Sequence, residues 1–574
     1  MDGQQRAPRI LIVGGVAGGA SAAARARRLA EHAEIVVFER GPYASYANCG
    51  LPYYVGGEIA SREKLIVAGD TKLHGWLNLD VRTGTEVIAI DRGAREVEVR
   101  TLATGAVTRE KYDILMLSPG AAPLRPAKLL AEVGAEHPRV LSLRNIPDVD
   151  RIKAVVDGGA KSAIVIGGGF IGLEITEQLV HRKVEVNLVE MLPQVMPPLD
   201  AEMVEPVHEA LRKKGVKLHL GDGVAGLSKL DGDRVRVKLA SEVELDADLV
   251  VLAIGVRPDA ELAAAAGLEL NERGAIRVNE HQQTSDPAIY AVGDASETTD
   301  AIFGGRTQIP LAGPANRQGR LAADHALSAA GQTGWEPSRQ SYRGSQGTSI
   351  VRVFDFSVAM TGLSEKALAR QGKQRRKDYG VVYVHPKNHA DYYPGAEAMT
   401  LKLIFERPSG RILGAQAVGG AGVDKRIDVI ATAIQFRGTA FDLEQVELCY
   451  SPQYGSAKDP VNQAGFQAAN VLRGLTEPIT PEDFLAWRRA GMPLTLLDVR
   501  DPQEWEAGRI DGAIHIPLPQ LRARIAEVPP DKPVVTYCAA GLRGYISERI
   551  LRQRGFSEVY NLSGGWKTWG QFNT

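Results

Sequence analysis

A pattern of β-strand, glycine loop and helix occurs twice in this sequence, and it constrains the fold more than any other feature. The first copy is residues 10–19 (ILIVGGVAGG), followed by an alanine-rich helix predicted over residues 20–30. The second copy is residues 163–172 (AIVIGGGFIG). Such a loop directs backbone N–H groups and the positive end of the helix at a pyrophosphate. The chain is therefore predicted to bind two dinucleotides within an α/β fold.

An acidic residue ends the strand that follows each glycine loop. The predicted strands 34–38 and 184–189 lead into Glu39 and Glu190, which are placed to accept hydrogen bonds from a ribose. A carboxylate there repels a 2′-phosphate, so the second loop favours NADH over NADPH. The first loop is the weaker match, because Val16 stands where its second glycine is expected.

Other strand ends extend the two candidate nucleotide sites. Asp294 follows an apolar strand and can bind the ribityl or phosphate oxygens of a flavin, whereas Phe170 is either a gate over the nicotinamide or a packing residue. The candidate cofactor-binding residues are Gly14, Gly15, Ala17, Gly18, Gly19, Glu39, Arg40, Ser118, Gly120, Asp294, Gly167, Gly169, Phe170, Ile171, Gly172, Glu190 and Gly255.

Composition narrows the class of partner. The length of 574 residues favours several domains, and 68 Lys and Arg residues balance 69 Asp and Glu residues. No overall field therefore attracts nucleic acid or an anionic membrane, and the apolar run 10–24 is broken by glycines and too short to span a bilayer. Three scattered cysteines form neither a disulfide framework nor a metal pattern. We expect a cytoplasmic protein that acts on small molecules, without a metal.

Residues 45–54 (SYANCGLPYY) place a single cysteine, Cys49, after the strand that would carry a flavin. One sulfur cannot close an internal disulfide, so its redox partner has to come with the substrate. A reactive thiol needs a lowered pKa, and a helix start and an oxidised flavin ring could supply it. Asn48 could donate a hydrogen bond to the thiolate.

Residues from about 8 to 470 resemble the pyridine nucleotide-disulfide oxidoreductases, and the segment around Cys49 resembles the branch that reduces coenzyme A disulfides and persulfides. The resemblance implies FAD and NADH as cofactors, and a homodimer in which the dimerisation domain reaches the partner subunit. It also implies catalytic roles for Cys49, Asn48, Tyr392 and Tyr450, the tyrosines protonating a departing thiolate. The residues implied to contact coenzyme A are Ser21, Arg25, Arg28, Ser45, Asn316 and Lys458.

A separate pattern begins near residue 479. The predicted strand 533–537 leads into Cys538 and the loop CAAGLRG, which places the sulfur at a helix N-terminus among backbone N–H groups that stabilise an anion. Four residues separate Cys538 from Arg543, one fewer than in phosphatases of comparable layout, so the loop fits a persulfide better than a phosphate. Residues 480–574 resemble a rhodanese domain, with Cys538 and Arg543 as its catalytic residues.

The predicted architecture is two Rossmann-like dinucleotide-binding domains, an α+β dimerisation domain and a C-terminal rhodanese-like α/β domain. Its boundaries are 1–147 and 258–332 for the FAD-binding domain, 148–257 for the NADH-binding domain, 333–473 for the dimerisation domain and 480–574 for the rhodanese domain. Cys449 is expected to be structural, and the basic run 370–377 to be a solvated loop.

These features favour an NADH-dependent flavoprotein that reduces persulfides, polysulfides or coenzyme A disulfide. The alternatives are an NADH oxidase or peroxidase, which also uses one cysteine, and a sulfur carrier or redox-sensing adaptor in which only Cys538 turns over. The sequence leaves the physiological acceptor open, as well as whether Cys538 passes sulfur directly to Cys49.

Overall fold

The computed structural model describes residues 7–336, 339 and 341–572. The outer ends of the first and last predicted domains, residues 1–6 and 573–574, lie outside these described residues. The chain divides into two compact units, Met1–Pro193 with Gly215–Ser345, and Gln194–Lys214 with Gln346–Thr574.

The first glycine loop emerges from a parallel sheet in the first unit. Its central strand pairs with neighbours on both sides, and Val13 lies in register with Phe38 and Leu117. Parallel strands buried on both faces are almost continuously apolar, as these are. In spatial order the strands are Ile289–Ala291, Ile114–Leu117, Arg9–Val13, Glu34–Glu39 and Asp80–Thr83.

Two alanine-rich helices, Ala17–Leu29 and Ala312–Ala329, pack on this sheet. They cross closely because Gly319 has no side chain: a Cβ there would lie 2.2 Å from the carbonyl oxygen of Gly18. The first helix begins three residues earlier than predicted.

The second glycine loop emerges from a second parallel sheet. Ile166 lies in register with Val189 and Leu252, so the carboxyl ends of these strands meet at one edge of the sheet. In spatial order its strands are Lys217–Leu220, Glu185–Glu190, Ser162–Ile166, Leu249–Leu252 and Val140–Ser142.

Short elements complete the first unit. Its other helices are Leu51–Gly56, Ala127–Leu130, Ile146–Asp157, Phe170–His181 and Glu261–Ala265, with 3-10 helices at Asn48–Gly50, Arg62–Leu65, Asp231–Asp233 and Gly293–Ala295 and a π-helix at Thr71–Trp76. Antiparallel strands are Thr85–Asp91, Glu96–Thr101 and Val107–Lys111; Val224–Lys229, Val235–Leu239 and Glu244–Ala247; Ala121–Pro123 with Val256–Pro258; and Thr298–Thr299 with Arg306–Thr307.

An antiparallel sheet is the core of the dimerisation region in the second unit. In spatial order its strands are Ser349–Val353, Phe356–Gly362, Ile412–Gly419, Met399–Glu406 and Tyr379–Val384. The helices of this region are Ala201–Lys213, Glu365–Arg370, Val423–Gln435, Ala440–Gln445 and Pro460–Leu472.

A buried ion cluster binds the helix Ala201–Lys213 to this sheet. The ammonium group of Lys402 is fully buried and contacts Asp200 at 2.7 Å, Glu202 at 2.5 Å and Glu365 at 2.7 Å. A buried charge needs such partners, because removal from water costs several kcal/mol. Residues 194–214 therefore group with the second unit, although the sequence places them within 148–257.

The C-terminal part of the second unit is a parallel sheet covered by short helices. Its strands, in spatial order, are Pro478–Ile479, Val559–Leu562, Val534–Tyr537, Thr495–Asp498 and Ala513–His515. Its helices are Pro481–Arg489, Pro502–Glu506, Leu518–Leu521, Leu542–Gln553 and Gly565–Phe572, with a 3-10 turn at Ile525–Glu527. Among the described residues, no helix combines the length and apolarity needed to cross a membrane.

Candidate nucleotide and sulfur sites

The first glycine loop turns tightly against the strand beside it. Gly14 has a φ of 93°, and a Cβ there would lie 2.1 Å from the carbonyl oxygen of Ser118. A Cβ at Gly19 would lie 1.9 Å from the carbonyl oxygen of Gly14. Both positions therefore require glycine, which supports the reading of this loop as a close-packed nucleotide turn.

The second loop repeats this geometry. Gly167 has a φ of 110°, and its Cβ would lie 2.3 Å from the carbonyl oxygen of Ala253, while a Cβ at Gly172 would lie 1.8 Å from the carbonyl oxygen of Gly167. Gly169 differs: in the described part of the chain no heavy atom lies within 4 Å of its Cβ position. This open face is where a pyrophosphate approaches the backbone in such folds.

Each predicted ribose-binding acid contacts its own loop. Glu39 accepts hydrogen bonds from the backbone N–H of Gly15 at 2.9 Å and from that of Gly41 at 2.7 Å. Glu190 does the same with Gly168 at 2.7 Å and with the residue two positions after itself at 2.8 Å. Because each carboxylate oxygen has a second lone pair, both acids can bind the loop and a ribose hydroxyl together.

The remaining candidate nucleotide-binding residues follow the carboxyl ends of strands in the two parallel sheets. Asp294 is in the 3-10 turn Gly293–Ala295, and burial raises the pKa of its carboxyl group while Arg144 opposes the rise. Arg40 contacts Glu86 at 3.5 Å and Asp259 at 3.2 Å. Gly120 and Gly255 follow the strands Ile114–Leu117 and Leu249–Leu252, and both have a positive φ, 77° and 109°. The second-loop candidates Phe170 and Ile171 form the first turn of the helix Phe170–His181.

Cys49 lies in the 3-10 helix Asn48–Gly50, directly before the helix Leu51–Gly56. Its Sγ is 3.9 Å from Oδ1 of Asn48, and the same oxygen accepts the backbone N–H of Cys49 at 3.2 Å. The expectation that Asn48 donates to the sulfur is wrong in this rotamer, because its oxygen faces the thiol. Ser45 lies close to the first loop, since its N–H donates to the carbonyl oxygen of Gly15 at 2.8 Å.

The surrounding protein raises the pKa of the Cys49 thiol. Cys49 keeps an accessible surface, but neighbouring atoms displace much of its water, and the carboxylates of Glu174 and Asp294 add negative potential. The direction in the protein alone is therefore opposite to the lowered pKa that the sequence predicts.

Glu174 is a candidate that the sequence analysis missed. Its Oε1 accepts a hydrogen bond from the hydroxyl of Tyr53 at 3.1 Å. Burial raises the pKa of Glu174 to about 7, although the bond to Tyr53 lowers it. A carboxyl group that titrates near neutrality and interacts electrostatically with a thiol suits proton transfer. The available signal was its position four residues after Phe170, on the same face of one helix.

Four of the predicted coenzyme A contacts lie on two neighbouring helices. The hydroxyl of Ser21 donates to Oδ1 of Asn316 at 2.5 Å, so the structure brings these two together. Arg25 forms an ion pair with Asp324 at 2.5 Å, which compensates its charge, whereas Arg28 is exposed. Arg28 is therefore the more available of the two cations.

In the second unit, Tyr392 and Tyr450 lie together although 58 residues separate them. Their hydroxyl oxygens are 3.1 Å apart, both side chains are exposed, and the hydrogen bond to Tyr450 raises the pKa of Tyr392. Lys458 is also exposed, and it precedes Asp459, which caps the helix Pro460–Leu472. These residues form an accessible polar surface.

Cys538 lies at the carboxyl end of the strand Val534–Tyr537 and is 2% exposed. The backbone N–H of Gly541 donates to its Sγ at 3.1 Å. Gly541 is the N-cap of the helix Leu542–Gln553, so the sulfur lies in the loop at the N-terminus of this helix. The sequence predicts this placement and an N–H contact of this kind.

Arg543 is held by carboxylates. Its guanidinium contacts both oxygens of Glu504, at 2.7 Å and 2.8 Å, and Asp501 at 3.0 Å. The hydrogen bond to Glu504 raises the pKa of Arg543, and the charge of Cys538 adds to the rise. Arg543 therefore interacts electrostatically with the sulfur and with the acids.

Cys449, which the sequence predicts to be structural, is exposed. In the basic run 370–377, predicted to be a solvated loop, residues 370–374 and 377 are exposed. Arg375 differs, because it contacts Glu365 at 2.5 Å and also Glu482 and Asp483 of the C-terminal domain at 2.8 and 3.0 Å.

Three family models match successive parts of the chain. The model of the pyridine nucleotide-disulphide oxidoreductases matches residues 8–319, more than half of the sequence, and that of their dimerisation domain matches residues 348–459. The chain belongs to this family. A rhodanese-like domain matches residues 480–571.

The chain is similar to one curated relative over 80% of its length and to two solved structures over 98%. The chain is 32% identical to coenzyme A disulfide reductase from Staphylococcus epidermidis over 461 residues, which are 80% of this chain and 99% of the relative. Reduced CoADR-RHD from Bacillus anthracis superposes with a TM-score of 0.92 at 46% identity, over 98% of both chains. An NAD-dependent persulfide reductase from A. fulgidus superposes with a TM-score of 0.86 at 38% identity, over 98% of this chain and 100% of that one.

Membership of this oxidoreductase family implies the use of FAD and a nicotinamide dinucleotide. The residues present fit these groups: Gly14, Gly19, Gly167 and Gly172 stand where a side chain would collide with the backbone, and the face at Gly169 is open. The first loop and Asp294 suit the flavin nucleotide, and the second loop with Glu190 suits the nicotinamide nucleotide.

Proposed function

We propose that this protein is an FAD-dependent enzyme that uses NADH to reduce the S–S bonds of persulfides, polysulfides or coenzyme A disulfide. Cys49 is its active sulfur, and the rhodanese domain carries sulfane sulfur on Cys538. The observation that carries the proposal is the single accessible Cys49 in the nucleotide-binding unit of a chain with only three cysteines. The similarity to a coenzyme A disulfide reductase and to an NAD-dependent persulfide reductase supports it.

The proposed reaction balances with one NADH. A persulfide RSSH, NADH and one proton give a thiol RSH, hydrogen sulfide and NAD⁺. Coenzyme A disulfide, NADH and one proton give two coenzyme A thiols and NAD⁺. When bound, FAD supplies the relay that passes two electrons from NADH to the sulfur at Cys49.

The chain's own residues supply the nucleophile and the proton donors. The thiolate of Cys49 attacks one sulfur of the substrate, the substrate S–S bond breaks, and a new S–S bond to Cys49 forms. The departing thiolate takes a proton from the hydroxyl pair Tyr392 and Tyr450. Glu174 is a second proton-holding group, because its pKa of about 7 lets it exchange protons at neutral pH.

Substrate and subunit roles follow as parts of the same proposal. Arg28 and Lys458 bind phosphates of coenzyme A, Ser21, Asn316 and Ser45 position its polar groups, and Arg25 acts through its pair with Asp324. The match to a dimerisation domain supports a homodimer in which Tyr392 and Tyr450 serve the partner's Cys49.

The predicted domain boundaries and a cytoplasmic location are further parts of this proposal. The matched ranges 8–319, 348–459 and 480–571 support the boundaries. Three unpaired cysteines suit a reducing compartment.

Stopped-flow oxidation of NADH tests the function. The NADH-reduced enzyme is mixed separately with coenzyme A persulfide, coenzyme A disulfide, inorganic polysulfide and oxygen, and flavin absorbance and sulfide release are followed. We expect a sulfur substrate to reoxidise the flavin at least about tenfold faster than oxygen. Fastest reoxidation by oxygen would support the oxidase alternative, and no reoxidation by any sulfur substrate would leave the adaptor alternative.

The same assay with NADPH in place of NADH tests the nucleotide preference. Glu190 meets a 2′-phosphate with like charge, so NADH should have the higher specificity constant. Equal constants would contradict this assignment.

A further inference from the structure

His385 joins the dimerisation sheet to the rhodanese domain. It follows the strand Tyr379–Val384, and its two ring nitrogens contact two threonine hydroxyls. Nδ1 is 3.0 Å from Oγ1 of Thr400 on the neighbouring strand, and Nε2 is 2.8 Å from Oγ1 of Thr568 in the rhodanese domain. Thr568 is fully buried. The ring is therefore fixed at both ends.

The imidazole is neutral at every pH at which the enzyme is expected to work. Removal from water, together with the charge of Lys567, lowers the pKa of His385 to about 3. A neutral ring has one donor and one acceptor nitrogen, and each threonine hydroxyl can take the complementary role. Both contacts can thus be satisfied without a charge.

Thr568 belongs to the helix Gly565–Phe572, whose first turn grips the loop of Cys538. The N–H of Trp566 donates to the carbonyl oxygen of Cys538 at 2.7 Å, and the N–H of Lys567 donates to that of Ala539 at 3.0 Å. A Cβ at Gly565 would lie 2.2 Å from the carbonyl oxygen of Cys538. The first turn of this helix therefore sets the position of the loop.

The contact between His385 and Thr568 leaves no room for a side chain at Gly564. A Cβ there would lie 1.8 Å from Oγ1 of Thr568 and 2.9 Å from Nε2 of His385. A continuous path of contacts thus runs from the dimerisation sheet through His385, Thr568 and the first helical turn to the backbone of Cys538.

A second group of contacts docks the two regions independently of His385. Arg375 contacts the first turn of the helix Pro481–Arg489, and Arg376 and Arg407 both contact Glu477. Loss of the histidine contact should therefore leave the rhodanese domain docked. Docking and loop geometry can be separated by experiment.

We propose that His385 is a positioning residue for the sulfur-transfer site: the dimerisation domain, through His385 and Thr568, holds the Cys538 loop in its sulfur-accepting geometry. This rests on the proposed sulfur transfer at Cys538. The rhodanese site is then an element shared by two domains, and the catalytic geometry of one depends on a side chain of the other.

The test compares His385→Ala, His385→Gln and Arg376→Ala in the full-length flavoprotein. Sulfur transfer from thiosulfate or glutathione persulfide to cyanide is measured, with hydrogen exchange of the peptide that covers residues 564–568. For His385→Ala we expect kcat to fall about tenfold or more with KM within about twofold, because a small displacement near a reacting group has effects of this size. The 564–568 peptide should exchange faster, while NADH-driven reduction of free coenzyme A persulfide stays within about twofold of wild type.

His385→Gln keeps a polar group able to reach Thr568 and should recover at least half of the lost kcat. Arg376→Ala alters the same interface away from the loop and should leave both kcat and the exchange of 564–568 near wild type. If His385→Ala does not accumulate as a folded flavoprotein, Thr568→Val removes the same hydrogen bond from the helix side.

The outcomes separate this proposal from the proposed function. Wild-type protein without any sulfur transfer would end the function assigned to Cys538, yet the exchange of 564–568 would still report whether His385 orders the turn. Unchanged kcat and exchange in His385→Ala, equal losses in His385→Gln, or an equal loss in Arg376→Ala would each overturn the positioning role.

Discussion

The two cysteine sites of this protein differ in the charged groups and hydrogen-bond donors around the sulfur. Cys49 is accessible on a short 3-10 helix, and loss of water around its thiol, followed by the charges of Glu174 and Asp294, raises the pKa of that thiol. Cys538 is buried inside a loop, where the N–H of Gly541 contacts its sulfur and the charge of Arg543 lies nearby. The first site thus has acids near its sulfur, and their charges oppose the formation of a thiolate. The second site has a backbone N–H donor and a cationic side chain near its sulfur.

Replacement of Cys49 or Cys538 by serine should have the largest effects on activity. Cys49→Ser should lower persulfide reduction at least about a thousandfold and leave sulfur transfer within about twofold, because the nucleophile is removed from one site only. Cys538→Ser should give the reverse pattern. Both activities are measured in each single variant and in the double variant.

The same cycle shows whether the sites are coupled. Flavin content and reduction by NADH serve as controls for the fold and should match wild type in all three proteins. Cys538→Ser could reduce free coenzyme A persulfide as poorly as Cys49→Ser does. The two sulfurs would then act in series, which would contradict two independent sites.

The tyrosine pair should affect only one site. Tyr392→Phe and Tyr450→Phe each remove a hydroxyl that would protonate the departing thiolate, so we expect kcat of the reductase to fall about 10- to 100-fold with KM little changed. Sulfur transfer by Cys538 is the internal control. A larger change in KM than in kcat would assign the pair to substrate binding instead.

The acids around Arg543 should tune the second site. Glu504→Gln removes one negative charge from the bidentate contact, so the guanidinium is less compensated and should attract the thiosulfate dianion more strongly. We expect KM for thiosulfate to fall about threefold, and the difference to shrink in about 0.5 M salt. A rise in KM would show that Glu504 mainly orients Arg543.

The smallest expected effect concerns Glu174. Above its pKa of about 7 this carboxylate is charged and opposes thiolate formation at Cys49, whereas below that pH it is protonated. Glu174→Gln should therefore speed iodoacetamide alkylation of Cys49 about two- to threefold at pH 8 and change it little at pH 6. Mass spectrometry of the separate cysteine peptides gives Cys538 as the control, and an equal effect at both pH values would exclude the charge as the cause.

The sequence predicted the parts that depend on local pattern. The strands before the glycine loops, the acids Glu39 and Glu190, and the Cys538 loop all carry their signal within about thirty residues. The structure has the strands within a residue of the prediction at Glu34–Glu39 and Glu185–Glu190.

The features that were missed depend on contacts between distant residues. The sequence predicts a solvated Arg375, because its carboxylate partners Glu482 and Asp483 lie more than a hundred residues away along the chain. The direction of the Asn48 amide is set by its rotamer, which no motif encodes. His385 carries no local signal at all, since its role depends on Thr568, 183 residues further along the chain.

The grip of Glu39 and Glu190 on their own loops has a consequence for how the dinucleotides arrive. Each carboxylate fixes a backbone N–H at the second residue of its glycine loop before any ligand is present. The conformational entropy of these turns is therefore lost while the chain folds rather than when a nucleotide binds. An incoming dinucleotide meets a rigid surface, so its affinity reflects the contacts it makes and the water it displaces, with little reorganisation of the protein.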